Sequence, residues 1–106
     1  MNASALANPS LEPVGSMPVC IGRDSRGIYA MTLTCTHMGC NIGSGRVSPS
    51  GLTCPCHGSM FDANGNVVAG PAPAPLQHFA VSADASDVLT IHTAQNVTAD
   101  TRLTGV

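Results

Sequence analysis

The chain reads CTHMGC at residues 35–40 and CPCHGS at residues 54–59, and these two stretches decide its fold. They place Cys35 and His37 as Cys-x-His, and Cys54 and His57 as Cys-x-x-His. Four ligands of two chemical types, carried by two compact loops, suit an asymmetric iron–sulfur cluster. We therefore predict that Cys35 and Cys54 bind one iron through thiolates, and that His37 and His57 bind the other through neutral imidazoles.

A structural zinc site is the main alternative, because zinc also takes four cysteine or histidine ligands and Cys-x-x-His is a common half-site. Cys-x-His, however, is an unusual half of a zinc site. Cys40 and Cys56 moreover raise the number of candidate ligands in the two stretches to six, which is two more than a zinc ion needs. Both features favour the cluster over zinc.

The size and composition of the chain restrict its architecture and its partners. With 106 residues, 43% of them hydrophobic and no tryptophan, it forms one domain with a modest core that a metal or a disulfide would stabilise. Only 9% of its residues are charged and its net charge is −2, which speaks against nucleic acid and anionic membrane surfaces as partners. No apolar run reaches the roughly 18 residues of a membrane span, and residues 1–9 lack the features of a signal peptide.

Short β-type runs separated by turns recur along the chain, and no helical periodicity persists. The stretch Asp24-Ser-Arg-Gly27 between two such runs predicts a hairpin, and Asn64-Gly65 predicts a second one. Alternation of apolar and polar residues at 79–81 and 88–92 predicts two further strands. The pattern is that of an all-β protein.

The two stretches, with the words Thr-His-Met-Gly and Pro-Cys-His-Gly-Ser, resemble the cluster loops of the Rieske [2Fe–2S] family, and the resemblance extends over residues 18–92. It implies one [2Fe–2S] cluster per chain and an antiparallel β-sandwich with a small cluster-binding subdomain at one end. The implied segments are cluster-binding loops at 35–40 and 54–62, a covering proline loop at 70–76, an N-terminal extension at 1–17 and a polar tail at 93–106. We expect that tail to be loosely attached or to form an appended strand.

Cys40 and Cys56 narrow the resemblance to the high-potential branch of the family. In cytochrome bc and bf complexes and in arsenite oxidase-like enzymes these positions pair as a disulfide, whereas in oxygenase-type ferredoxins they are usually not cysteine. Such a bond would stabilise the fold by roughly 3 kcal/mol and indicates an extracytoplasmic location, here the periplasmic side. Respiratory members carry an N-terminal anchor, so we expect that an anchor or export signal has been removed or that the chain is a soluble relative.

The resemblance also assigns residues around the cluster: Met38, Gly39, Gly58, Ser59, Phe61, Gly70, Pro71 and Pro73. Ser59 matches a serine whose hydroxyl donates to a bridging sulfide and raises the potential, although it would also serve as a turn residue. Phe61 stands where high-potential respiratory members carry a tyrosine that donates to a ligand sulfur, so a lower potential is expected here. Two roles remain open for Met38: it either shields the cluster or packs as an ordinary apolar residue. The glycines permit tight turns, and the prolines stiffen the covering loop.

The implied activity is one-electron transfer, coupled to protons at the histidine ligands, in a chain of the quinol-to-cytochrome type. The implied partner is a cytochrome c-like protein or an oxidoreductase subunit, and His57 or His37 would contact a quinol. An arsenite oxidase-like small subunit or carrier, an oxygenase-type ferredoxin and a structural zinc module are the alternatives. We expect no catalysis by the chain alone. Cys20 is predicted to be a buried, inert thiol, and His78 and His92 are predicted to be ordinary surface or strand residues.

Overall fold

The computed structural model describes residues 1–106 and contains nine strands in two antiparallel sheets. The strands are β1 Ser10–Pro13, β2 Val19–Asp24, β3 Gly27–Thr32, β4 Arg46–Ser48, β5 Gly51–Thr53, β6 Met60–Phe61, β7 Val67–Ala69, β8 His78–Ala83 and β9 Leu89–Val97. The larger sheet has the order β1-β2-β3-β8-β9, and the smaller has the order β4-β5-β6-β7. The smaller sheet is therefore an insertion between β3 and β8, and the predicted all-β architecture with a subdomain is confirmed.

The helical content is limited to two short 3-10 turns, Ala3–Ala5 and Ile42–Ser44. Neither has the length or the apolar character that crossing a bilayer would require.

Both predicted hairpins are present, and an aspartate organises each turn. Between β2 and β3, Asp24 Oδ1 accepts from the backbone N–H groups of Arg26 and Gly27. Between β6 and β7, Asp62 Oδ1 accepts from the N–H groups of Asn64 and Asn66. Each turn reverses the direction of the chain, and the aspartate side chain stabilises it by accepting hydrogen bonds from backbone N–H groups of the turn.

The main core lies where the two sheets meet and includes the ligand cysteines predicted above. Twelve buried residues form it: Leu11, Cys20, Tyr29, Met31, Leu33, Cys35, Ile42, Leu52, Cys54, Phe61, Ala72 and Leu76. Cys20 is fully buried within this core, and burial raises the pKa of its thiol to about 12. This agrees with the prediction of an inert thiol.

Both outer segments of the chain pair with the larger sheet. Strand β1, inside the predicted extension, pairs with β2 and places Leu11 opposite Gly22. The predicted tail forms the second half of β9, and Leu103 then exchanges two backbone hydrogen bonds with Ile28, at 2.9 and 2.8 Å. Of the two expectations for residues 93–106, a loose tail or a strand, the strand is the one observed. The domain boundaries at 18 and 92 stay a prediction.

Candidate metal centre

Two loops with the same backbone hydrogen bonds form the candidate centre. In the first, the N–H of Cys35 donates to the carbonyl of Cys40 at 2.8 Å, and the N–H of Gly39 donates to the carbonyl of Cys35 at 3.0 Å. The second loop repeats these two bonds, at 2.8 and 3.2 Å, among Cys54, Ser59 and Gly58. The two sequence stretches are therefore two copies of one loop structure, and each begins with a predicted ligand cysteine.

The glycine near the end of each loop adopts a left-handed backbone conformation. Gly39 has φ +72° and Gly58 has φ +76°. A residue with a Cβ would pay about 1–2 kcal/mol in this conformation. Glycine at these two positions therefore allows the chain to turn back and complete the loop.

The predicted ligands differ sharply in exposure according to their chemistry. Cys35 and Cys54 are each 2% exposed, whereas His37 is half-buried and His57 is exposed. The two imidazole rings lie 4.8 Å apart between centroids, and their planes meet at 88°. The cysteine pair thus lies on the core side of the loops and the histidine pair lies toward the surface.

A disulfide between Cys40 and Cys56 links the two loops, as the resemblance implied. Their Cα atoms are 6.5 Å apart, within the usual range for this bond. The Sγ atoms of both lie within 4.8 Å of the Sγ of Cys54. The bond therefore closes the two loops against each other right beside a predicted ligand.

The arrangement of donor atoms fits a two-iron group better than a single metal ion. Only Cys40, Cys54 and Cys56 bring ligand atoms within 4.8 Å of one another as a group of three, and two of these sulfurs share a disulfide. A tetrahedral zinc ion, with bonds of about 2.0–2.3 Å, would draw all four of its ligand atoms closer together than that. Two buried thiols and two outer imidazoles instead match the division of ligands in an asymmetric [2Fe–2S] centre.

The proline loop covers both cluster loops and is bonded to each of them. Ser59 is fully buried, and its Oγ accepts from the N–H of Ala72 at 3.2 Å. The Oγ1 of Thr36 donates to the carbonyl of Ala74 at 2.7 Å. Gly70 passes so close to Ser59 that a Cβ on Gly70 would lie 2.6 Å from the Cα of Ser59. Only glycine therefore allows this approach.

The other residues that the resemblance assigned divide between surface and core. Met38 is 71% exposed, so the structure does not give it an ordinary packing role in the core. Pro71 and Pro73 are exposed on either side of the buried Ala72. Phe61 is 2% exposed and lies opposite Leu52 in the smaller sheet, within the main core.

A polar network lies between the turn after β6, β8 and the C-terminal segment, and the sequence did not single out its residues. His78 does lie in a strand, as predicted, but it is only 2% exposed, and burial lowers its pKa. Its neighbours are Asn64 and the side chain of Arg102, which is 3% exposed and bonded to Asp24. The hydrogen bond from Arg102 holds the pKa of Asp24 below its usual value. Because these residues are distant in the chain and show no local pattern, no sequence signal pointed to them.

Comparison with curated proteins shows relatives among iron–sulfur subunits. The cytochrome b6-f complex iron-sulfur subunit of Synechococcus sp. (strain RCC307) is 48% identical over 59 residues, which cover 52% of this chain and 30% of the relative. That of Synechococcus sp. (strain WH7803) is 42% identical over 71 residues, covering 63% of this chain and 37% of the relative. The chain thus spans about a third of the length of these relatives.

Solved structures show a similar fold. One is a chain from the complex of reduced oxygenase and oxidized ferredoxin in carbazole 1,9a-dioxygenase, with TM-score 0.61 and 25% identity over 92% of both chains. Another is the cyanobacterial plasma membrane Rieske protein PetC3 from Synechocystis PCC 6803, with TM-score 0.57 and 29% identity. This second match covers 77% of the present chain and 83% of PetC3.

A family model described as the Rieske [2Fe-2S] domain matches residues 6–80, which is well over half of the chain. The match includes both loops and the proline loop, and the disulfide and the division of buried thiols from outer imidazoles agree with it. The chain belongs to the Rieske [2Fe–2S] domain family.

Proposed function

We propose that this protein transfers single electrons through a Rieske [2Fe–2S] cluster bound by Cys35, His37, Cys54 and His57. The observation that carries the proposal is the opposite exposure of the two ligand types, with thiols 2% exposed and the imidazoles toward solvent. When bound, the cluster supplies a one-electron redox couple. The chain's own residues would keep water from the thiolate side and present the imidazole side to a partner.

Coupling to protons is the next part of the proposal. An imidazole that binds a metal through one ring nitrogen keeps the other nitrogen available for a proton. Because His57 is exposed and His37 is half-buried, that nitrogen can exchange its proton with solvent or with a substrate. Electron transfer by this protein would then be linked to the protonation of its histidine ligands.

The high-potential branch of the family is the best supported assignment. The Cys40–Cys56 disulfide supports it, as do the similarities to iron–sulfur subunits of cytochrome b6-f complexes. We therefore propose an extracytoplasmic, periplasmic location and a partner that is a cytochrome c-like protein or an oxidoreductase subunit. A quinol would meet the protein at His57 or His37. With only 9% charged residues, docking would depend on local shape and on exposed apolar groups such as Met38.

An oxygenase-type Rieske ferredoxin is the second candidate. It is favoured by the likeness to a chain of the carbazole dioxygenase complex, which extends over 92% of both chains. The disulfide opposes it, because ferredoxins of that type usually lack both cysteines. The two candidates differ in their expected reduction potential and can be separated by measuring it.

Voltammetry from acid to alkaline pH, on purified protein whose iron and zinc contents have been measured, tests both candidates. A positive potential within the family range of about −150 to +300 mV, falling as pH rises, would support the high-potential assignment. A potential near the bottom of that range and constant around neutral pH would favour the ferredoxin. Zinc in place of iron, with no redox wave, would overturn the proposal.

A pair of histidine variants tests the ligand assignment directly. His57→Ala is expected to abolish the cluster absorbance and the electron paramagnetic resonance signal of the reduced protein. His92→Ala is the matched control, because His92 is an exposed histidine of β9 and its ring nitrogen bonds only to Ser82, at 2.7 Å. Loss of the cluster from both variants, or from neither, would contradict the assignment.

A further inference from the structure

The guanidinium of Arg102 connects the C-terminal segment to the rest of the protein. Its Nε and Nη2 donate to the carboxylate of Asp24 at 3.2 and 2.9 Å, and Nη2 also donates to Asn64 Oδ1 at 2.7 Å. Its Nη1 donates to the carbonyls of Ala99 and Thr101 at 2.8 and 3.0 Å. All five N–H groups of the guanidinium therefore have acceptors, and the Arg102 side chain is held in one orientation.

Asn64 belongs to the turn after β6, and that turn holds the end of the proline loop. The turn spans residues 62–66, and its Gly65 carbonyl accepts from the N–H of Leu76 at 2.9 Å. The packing is close, since a Cβ on Gly65 would lie 3.0 Å from the Cβ of Leu76. Movement of the turn would therefore move Leu76 with it.

His78 provides a second connection between the turn and Leu76. Its Nε2 lies 3.2 Å from Asn64 Oδ1, and its Nδ1 lies 3.3 Å from the carbonyl of Leu76. Both partners are acceptors and a neutral imidazole carries a single N–H, so His78 donates a hydrogen bond to one of them and packs against the other. Leu76 is 3% exposed; its N–H donates to Gly65, the residue after Asn64, and its carbonyl faces His78. The opposite end of the proline loop is fixed where Gly70 meets Ser59.

We propose that Arg102 is a positioning residue for the proline loop. Arg102 binds Asn64, Asn64 belongs to the turn at 62–66, and Gly65 of that turn binds Leu76 at the end of the loop whose Ala72 N–H binds the Ser59 hydroxyl. The C-terminal segment thereby controls how closely the loop covers the centre. The consequence for the cluster rests on the proposed function, whereas the anchoring of the loop does not.

Hydrogen exchange of the full chain tests the anchoring. In Arg102→Gln, we expect exchange of the peptide covering residues 70–77 to become roughly tenfold faster, because the loop opens more often. Arg26→Gln is the matched control, since it removes the same charge beside Asp24, at 3.9 Å, and has no contact with Asn64. Faster exchange confined to residues 98–106 would overturn the proposal, because Arg102 would then hold only its own segment.

The reduction potential tests whether the effect reaches the cluster through Ser59. We expect Arg102→Gln to lower the potential, because a looser Ala72 N–H leaves the Ser59 hydroxyl less well oriented. In a Ser59→Ala background the same substitution should shift the potential far less. An equal shift in both backgrounds, or an equal shift in Arg26→Gln, would show that only the lost charge matters and would overturn this part.

Asn64→Ala tests the same link from the other side and leaves the Arg102–Asp24 ion pair in place. We expect it to accelerate exchange of residues 70–77 as Arg102→Gln does. Unchanged exchange there would contradict the proposal even if Arg102→Gln failed to fold. If the wild type carried no Rieske cluster, the proposed function would fail, while the exchange measurements would still decide the anchoring.

Discussion

The Oγ atom of Ser59 accepts a hydrogen bond from the backbone N–H of Ala72 at 3.2 Å, inside a fully buried site. The hydroxyl hydrogen of Ser59 is therefore directed to some other acceptor, and a sulfide of the proposed cluster is the acceptor that the family resemblance implies. This relationship unites the second cluster loop with the proline loop. The orientation of the Ser59 hydroxyl would therefore tune the reduction potential of the cluster.

Replacing Ser59 with alanine is expected to lower the reduction potential by about 60–130 mV. The estimate takes a hydrogen bond to a charged group as about 1.5–3 kcal/mol and a one-electron couple as about 59 mV per tenfold change. Ser50→Ala is the control, because Ser50 is exposed in the turn between β4 and β5. Voltammetry of the iron-loaded proteins decides the matter, and equal potentials for wild type and Ser59→Ala would contradict the assigned donor.

Installing a hydroxyl at position 61 is expected to raise the potential. Phe61 lies in the main core at 2% exposure, so the ring of Phe61→Tyr would be held in place, and the family resemblance implies that a tyrosine here donates to a ligand sulfur. One neutral hydrogen bond of about 0.5–1.5 kcal/mol corresponds to roughly 20–65 mV. Phe79→Tyr, on β8, adds the same hydroxyl in the larger sheet and should leave the potential unchanged. An unchanged or lower potential in Phe61→Tyr would show that the hydroxyl finds no sulfur.

Removing the disulfide is expected to destabilise the protein by roughly 3 kcal/mol and to hasten loss of the cluster. The bond between Cys40 and Cys56 closes a loop with a sequence separation of 16, and the loop-entropy relation gives this magnitude. The double variant Cys40→Ala/Cys56→Ala should unfold at lower urea concentration than wild type. Treatment with a thiol reductant should affect wild type but not the double variant. Equal unfolding free energies for wild type and the double variant would show that the disulfide does not stabilise the fold.

The cluster loops could be predicted from sequence because their chemistry is local. Cys35 and His37 are two residues apart, and Gly39 closes their turn, so one short stretch carries both the proposed ligands and the backbone turn. The hairpins could be predicted for the same reason, since Asp24 accepts from the N–H of Arg26 two residues on, and Gly65 supplies the positive φ of the second turn. The disulfide required the family resemblance, because spacing alone does not pair cysteines.

The anchoring of the proline loop could not be predicted, because its contacts join distant parts of the chain. Arg102 and Asp24 are 78 residues apart, and Arg102 and Asn64 are 38 apart. A lone arginine in a polar tail looks the same in sequence whether it is exposed or, as here, 3% exposed. His78 was likewise predicted to be an ordinary surface or strand histidine, and it lies in a strand but is buried. Burial among residues of other elements leaves no periodic signal in the sequence.

Replacing Asp24 with asparagine is expected to destabilise the protein by about 1–2 kcal/mol at neutral pH, and less in acid. Arg102 donates to this carboxylate and lowers its pKa in the folded state, so its contribution is present above the unfolded pKa of about 3.9. As the pH falls from the unfolded pKa to the lower folded pKa, the unfolded chain binds a proton at Asp24 more readily than the folded chain does. The stabilisation by the ionised carboxylate is therefore lost over this range. Urea unfolding followed by circular dichroism between pH 3 and 7 measures the difference from wild type.

Asp100→Asn is the control for this prediction, because Asp100 pairs with Arg26 at 3.5 Å and its side chain is 88% exposed. Exposed pairs contribute little, so its unfolding free energy should stay close to that of wild type at every pH. A difference between wild type and Asp24→Asn that is the same at pH 3 and pH 7 would contradict the ionised pairing. A large effect of Asp100→Asn would place the stabilising charge interaction at the surface instead of at the buried guanidinium of Arg102.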